Sequence, residues 1–248
     1  MDTAWTKEIR KNIFRKGLSD MLLYHGSKSG IQGDIKPKSR LSCDFGCGFY
    51  MGDKPDQPKG LIASYENNKF YEIEYNTDGL KIKTFDNNNY ISQIDWALFI
   101  AYNRQPEKLT GYEQLCIRYE AYNKLYDMIK GVIADDKMTQ VIQLFFNGQM
   151  CNKAFIEAMQ YVKLGNQYVL KTNEACKKER FNIIKEYKLT DADKKLITTQ
   201  NKNRTNQLND LINQIQTRYR RAQDVKFFDE IIEEWNRYGN NNFQHWNM

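Results

Sequence analysis

The sequence predicts an α+β protein: a split, mostly antiparallel β-core with short helices, framed by an N-terminal helix and a long helical C-terminal extension. Three observations predict it. Short apolar or alternating runs, bounded by Gly, Asn and Asp, recur between Met21 and Thr172 and read as strands. Segments of helical spacing separate them. From Thr190 onward, apolar residues return every three or four positions. At 248 residues the chain is long enough for one large domain, or one domain with an appended helical piece. The expected divisions are 1–20, 21–180 and 181–248.

In chain order, Thr6–Leu18 carries Ile9, Ile13 and Phe14 at helical spacing among Lys7, Arg10, Lys11, Arg15 and Lys16. That is a short basic amphipathic helix, and Gly17 stops it. Met21-Leu22-Leu23-Tyr24-His25-Gly26-Ser27 is an apolar run with a polar end, a buried strand that opens into a cleft. Pro55 and Pro58 mark Gly52–Gly60 as a loop, and Leu61–Tyr65 starts a short helix. Lys69–Tyr75 alternates as a strand, Thr77-Asp78-Gly79 turns, and Leu80–Phe85 is a second strand. Ile94–Tyr102 reads as a helix and Tyr126–Ile133 as a strand. Asp135 and Asp136 open a helix carrying Met138, Val141, Ile142 and Phe145. Gly165–Thr172 is a further buried strand. Thr190 and Asp193 have the spacing of a capping box, with Asp in place of Glu. The stripe beyond them, from Leu208 to Trp235, is one amphipathic helix or an α-hairpin. It either lies on its own domain or binds a partner, the second reading favoured by Arg218, Arg220, Arg221 and the aromatics Trp235, Phe243 and Trp246.

Composition excludes several classes. Five cysteines form no C-x-x-C pair and only His25 and His245 supply imidazole, which argues against a zinc site and for free thiols in a reducing cytoplasm. No apolar run is long enough to span a bilayer, and the first residues lack a signal-peptide core. A net charge of +6 suits a nucleic-acid target and suits solubility equally, so it decides nothing alone.

The chain is organised around Asp44-Phe45-Gly46-Cys47-Gly48-Phe49-Tyr50. A glycine pair lets the backbone turn or approach a ligand closely, and two aromatics follow at once. Read locally, it is a turn leading into a core strand; read functionally, it presents a ring over a pocket. It is not a dinucleotide loop, because Gly46, Gly48 and Gly52 are spaced G-x-G-x-x-x-G with no apolar strand leading in.

Three motifs together carry a resemblance. Leu23-Tyr24-His25-Gly26-Ser27, Phe45-Gly46-Cys47-Gly48-Phe49-Tyr50 and Asn166-Gln167-Tyr168-Val169-Leu170 resemble the diphtheria-toxin-like ADP-ribosyltransferases, the branch containing the poly(ADP-ribose) polymerases. With Asp95-Trp96, Asn103-Arg104 and Tyr126 to Asp136, they are also similar to a bacterial domain family of unknown function held to be ADP-ribosyltransferase-like. The genes of that family often sit in toxin–antitoxin or antiviral defence settings. The resemblance covers roughly residues 20 to 180.

It implies an ADP-ribosyltransferase-like core whose substrate is NAD, with no metal. His25, Tyr50 and Gln167 would be the catalytic set, and His25, Gly26, Ser27, Gly48, Tyr50 and Tyr65 would bind NAD. Breaking the glycosidic bond needs the nicotinamide gripped, the ribose hydroxyls held and developing positive charge stabilised. Gly26 would hold the carboxamide through its backbone, Tyr50 would stack on the ring with Tyr65 as second aromatic, and His25 would bind a ribose hydroxyl. Best-known relatives carry glutamate where Gln167 stands. Glutamine binds a hydroxyl but supplies no charge and no general base, which disfavours chain elongation. Asp135 or Asp136 is the candidate substitute carboxylate. The expected function is cytoplasmic mono-ADP-ribosylation of a nucleic acid or protein by a toxin or defence effector, with an antitoxin or neutralising partner on the C-terminal helices. Two other classes fit the motifs: an NAD glycohydrolase, and an inactive module that binds NAD or ADP-ribose.

Overall fold

A computed structural model of the chain describes residues 20–134, 136–161 and 165–238. The N-terminal helix expected over Thr6–Leu18 lies outside these residues, as do Asp135, Phe243 and Trp246. The described elements form an α+β fold around one seven-stranded sheet. The strands are β1 (Asp20–Ser27), β2 (Phe49–Gly52), β3 (Lys69–Asn76), β4 (Ile82–Thr84), β5 (Met128–Val132), β6 (Asn166–Leu170) and β7 (Phe181–Tyr187). Their spatial order is β4-β5-β6-β2-β1-β3-β7. Every neighbouring pair is antiparallel except β4 with β5.

The helices are α1 (Asp56–Ile62), α2 (Tyr90–Arg104), α3 (Glu113–Leu125), α4 (Asp136–Phe146), α5 (Asn152–Tyr161), α6 (Asp191–Tyr219) and α7 (Phe228–Tyr238). Burial divides the sheet cleanly. One face carries the large core, where Phe45 and Val169 meet Trp96 and Phe99 of α2, Ile142 and Phe145 of α4 and Phe155 of α5. The other carries a smaller cluster of Leu23, Met51, Tyr71, Ile73, Tyr75, Tyr168 and Leu170. Strands β5 and β6 are covered on both faces, with four of five residues buried in each.

Several sequence expectations are corrected. The Gly52–Gly60 loop is largely helical: α1 starts at Asp56, with Pro55 as N-cap and Pro58 in the first turn. Proline is tolerated there because the first backbone N–H groups of a helix have no intrahelical acceptor to lose. The strands on either side of Thr77-Asp78-Gly79 do not pair with each other. Gly79 turns the chain with φ 73°, but β4 runs to the far edge and lies parallel to β5. Residues 181–187, expected within the helical extension, are the edge strand β7 paired to β3.

Beyond β7 the extension is helical as expected. Thr190 caps α6, its hydroxyl accepting from the Asp193 N–H while Asp193 accepts from the Thr190 N–H. The stripe then lies on the chain's own body: Leu208, Ile212, Ile215, Phe228, Ile231, Ile232 and Trp235 are buried in the large core. Among the described residues no helix is long and apolar enough to cross a membrane.

Candidate functional site

The three sequence motifs, distant along the chain, meet on three adjacent strands, β6-β2-β1. Strand β2 pairs β6 at four positions, with Met51 opposite Tyr168 and Gly52 opposite Gln167. Asp53 fixes that register, accepting from the Asn166 backbone N–H and from its side-chain amide, both at 2.8 Å. Strands β1 and β2 behave differently, because they pair only at Tyr24 with Gly52. Where they part, the His25 ring replaces the missing ladder bond: Nδ1 donates to the Tyr50 carbonyl at 2.7 Å.

That bond settles the tautomer. With Nδ1–H given to a carbonyl, Nε2 carries the lone pair and is an acceptor. The ring stacks on Phe49 at 4.3 Å and tilts against Tyr71 at 6.1 Å. Burial among these rings pushes the imidazole pKa below its ordinary value, and the Tyr50 carbonyl opposes the shift.

Gly26 follows on β1 opposite Phe70. A side chain there would run into the Pro58 carbonyl and the Ile62 methyl of α1, so only glycine lets that helix lie on the strand. Gly48 has a related role: a Cβ would meet Val169 and the Leu170 carbonyl, and its N–H donates to the Ser39 hydroxyl. Gly48 therefore serves packing between β2 and β6. Ser27 pairs with Lys69 at the end of the β1–β3 ladder. Tyr65 is 38% exposed, with the Lys28 ammonium 4.4 Å from its ring centroid.

The turn before β2 is held from several sides. Gly46 adopts φ 68°, which glycine alone takes freely. The Tyr50 hydroxyl donates to the Gly46 carbonyl at 2.7 Å and accepts from the Phe45 N–H at 3.1 Å. Burial, then the nearby Asp44 charge, pushes the Tyr50 phenol well up. Lys171, just past β6, donates to the carbonyls of Phe45 at 2.5 Å and Cys47 at 2.6 Å. Burial pulls its pKa down to about 8.

Behind the turn lies a buried polar group that the motifs did not disclose. Asp44 is 8% exposed, pairs with Arg104 and accepts from Gln167 Nε2 at 3.1 Å. Gln167 Nε2 also donates to the Val132 carbonyl at 3.3 Å. Arg104 is braced by the Thr139 hydroxyl and the Ala134 carbonyl. Burial pushes the Asp44 carboxyl up while Arg104 draws it back. The carboxylate beside Gln167 is thus Asp44. Asp135 lies outside the described residues, and so does the Asp136 side chain. The sequence did hold a signal for this group, since Asp44 heads the glycine stretch and Arg104 belongs to the matched Asn103-Arg104 pair.

The expected catalytic residues are only partly brought together. His25 contacts Tyr50 through the backbone, and Tyr50 reaches Gln167 through the turn that contains Asp44. The side chains divide between the faces: His25 packs with Phe49 and Tyr71 of the smaller cluster, while Tyr50 packs against the large core and Gln167 alternates with Tyr168 on β6. The site is therefore a junction around the parting of β1 and β2. Among the described residues no group of three or more His, Cys, Asp or Glu could hold a metal.

A family model described as "Protein of unknown function (DUF3990)" matches residues 21–181, from β1 to the start of β7. No curated protein and no solved structure matches the chain. The match spans well over half of the chain, which belongs to that family.

Proposed function

We propose that this DUF3990 protein is an NAD-dependent mono-ADP-ribosyltransferase acting on a macromolecule. The observation that carries the reading is the adjacency of β6, β2 and β1, which sets all three motifs around one parting of strands. The donor and acceptor set suits the substrate. His25 Nε2 is an acceptor for a ribose hydroxyl, and Gln167 can accept from another. Tyr50 and the exposed Tyr65 offer rings to nicotinamide, and the Gly26 backbone can meet the carboxamide. In the reaction the ribose C1′–nicotinamide bond breaks with its electron pair leaving on nicotinamide. A nucleophile of the acceptor then bonds to C1′ and gives up its proton to solvent. The role of a cytoplasmic toxin or defence effector, with a neutralising partner, rests on the family resemblance.

A second reading is favoured by one observation. Gln167 is a neutral amide, and its carboxylate neighbour Asp44 is already engaged by Arg104. An inactive module that binds NAD or ADP-ribose would have this arrangement. Labelled NAD added with the protein to a cell lysate separates the readings. Transfer predicts label on a macromolecule, and nuclease or protease treatment identifies its class. Tight NAD binding without label on any macromolecule supports the binding module. Nicotinamide released in the absence of lysate supports a glycohydrolase.

A further inference from the structure

The geometry points to Asp44 as the positioning residue that decides which end of the Gln167 carboxamide is presented to a substrate hydroxyl. This rests on the reading that puts Gln167 in the NAD site. An amide carries two hydrogens at one end and lone pairs at the other, so its use as an acceptor depends on which end is held by the protein. Gln167 Nε2 finds two acceptors, the Asp44 carboxylate and the Val132 carbonyl. Neither can donate to Oε1, so the amide has one orientation and Oε1 is turned away from both.

The same group explains an amide at position 167. A glutamate there would set a second carboxylate about 3 Å from Asp44, and two buried carboxylates so close cannot both ionise. Glutamine leaves one negative charge, matched by Arg104.

The test uses the full chain as wild type, Asp44→Asn, Gln167→Glu and the double variant. Its first readout needs no ligand: the thermal midpoint against pH, taken relative to wild type. The groups facing Asp44 are Arg104 from α2 and the Tyr50 hydroxyl from β2, and both remain in every variant. In Gln167→Glu the carboxylate pair holds a proton in the folded state that the unfolded chain releases, so stability is lost as pH rises through the raised value. The double variant restores one carboxylate and one amide. It should lose that pH dependence and recover most of the midpoint. A Gln167→Glu profile parallel to wild type, or a double variant no better than the sum of the singles, would overturn the pairing.

The second readout is NAD affinity by calorimetry. Asparagine at 44 offers one oxygen to two donors and no longer fixes the amide, so affinity should fall about tenfold, the scale of a lost charge-assisted hydrogen bond. It should return in the double variant. Unchanged affinity in Asp44→Asn would overturn the positioning role. If the wild type binds no NAD while the pH coupling is present, the NAD reading fails and this role with it, leaving the pair as structure only.

Discussion

The Tyr50 hydroxyl donates to the Gly46 carbonyl four residues behind it, so the strand that follows the glycine turn also ties it shut. The ring is held at a fixed height by its own polar tip, and its body packs against the large core. Tyr50→Phe keeps the ring and leaves the Gly46 carbonyl and Phe45 N–H without that partner. A loss of about 1–3 kcal/mol in chemical denaturation is expected, with NAD affinity changed far less than in Tyr50→Ala. Full stability of the Phe variant would show that the hydroxyl does not hold the turn.

His25 gives a pH dependence with a definite sign. Its folded pKa is depressed below 6.5, so the unfolded chain binds more protons once the pH falls below that value. Stability from the neutral ring is present at pH 7 and is lost on acidification. His25→Asn should therefore lose less thermal stability than wild type between pH 7 and 5. Equal losses in the two proteins would place the imidazole in water.

Lys171 gives a dependence of the same sign at higher pH. Its pKa is lowered from 10.5 to about 8 by burial, so the unfolded chain binds more protons between those values. Wild type should gain stability relative to Lys171→Met as pH rises from 8 to 10. A constant difference across that range would mean that the ammonium is not desolvated at the turn.

Legibility in the sequence followed locality. Strands β3, β5 and β6 announced themselves because burial of one or both faces forces an apolar pattern, and the Thr190–Asp193 cap because its partners lie three residues apart; β1, expected as a buried strand, buries only Leu23 and leaves Leu22 exposed. Helix α1 was hidden by prolines that break helices elsewhere but fit a first turn. Strand β7 was hidden because its middle residues, Asn182 to Glu186, are exposed on both faces and leave no core alternation to read. The site divided the same way. His25, Tyr50 and Gln167 stood out as motif residues, whereas the hydrogen bond between Asp44 and Gln167 spans 123 positions. No local pattern encodes such a pairing.

The C-terminal helices are expected to be part of the fold. Trp235 is 1% exposed in the large core, and Trp235→Ala should cost about 3–5 kcal/mol in chemical denaturation. Arg218 pairs with Glu157 of α5 while Arg220 and Arg221 are exposed. Replacing the three arginines with glutamine should leave the fold and NAD cleavage intact and weaken modification of a nucleic-acid acceptor, with a shallower salt dependence. An unchanged salt slope would assign those arginines to a solvated face.

Cleavage of NAD at the junction of β1 and β2, as proposed, is read out by nicotinamide release. The full chain, given NAD and a cell lysate as source of acceptor, should release nicotinamide in proportion to label transferred. His25→Ala, folded by circular dichroism, should release none above the lysate background. Release by His25→Ala at the wild-type rate, or none by wild type with any acceptor fraction at millimolar NAD, would rule out NAD cleavage at this junction.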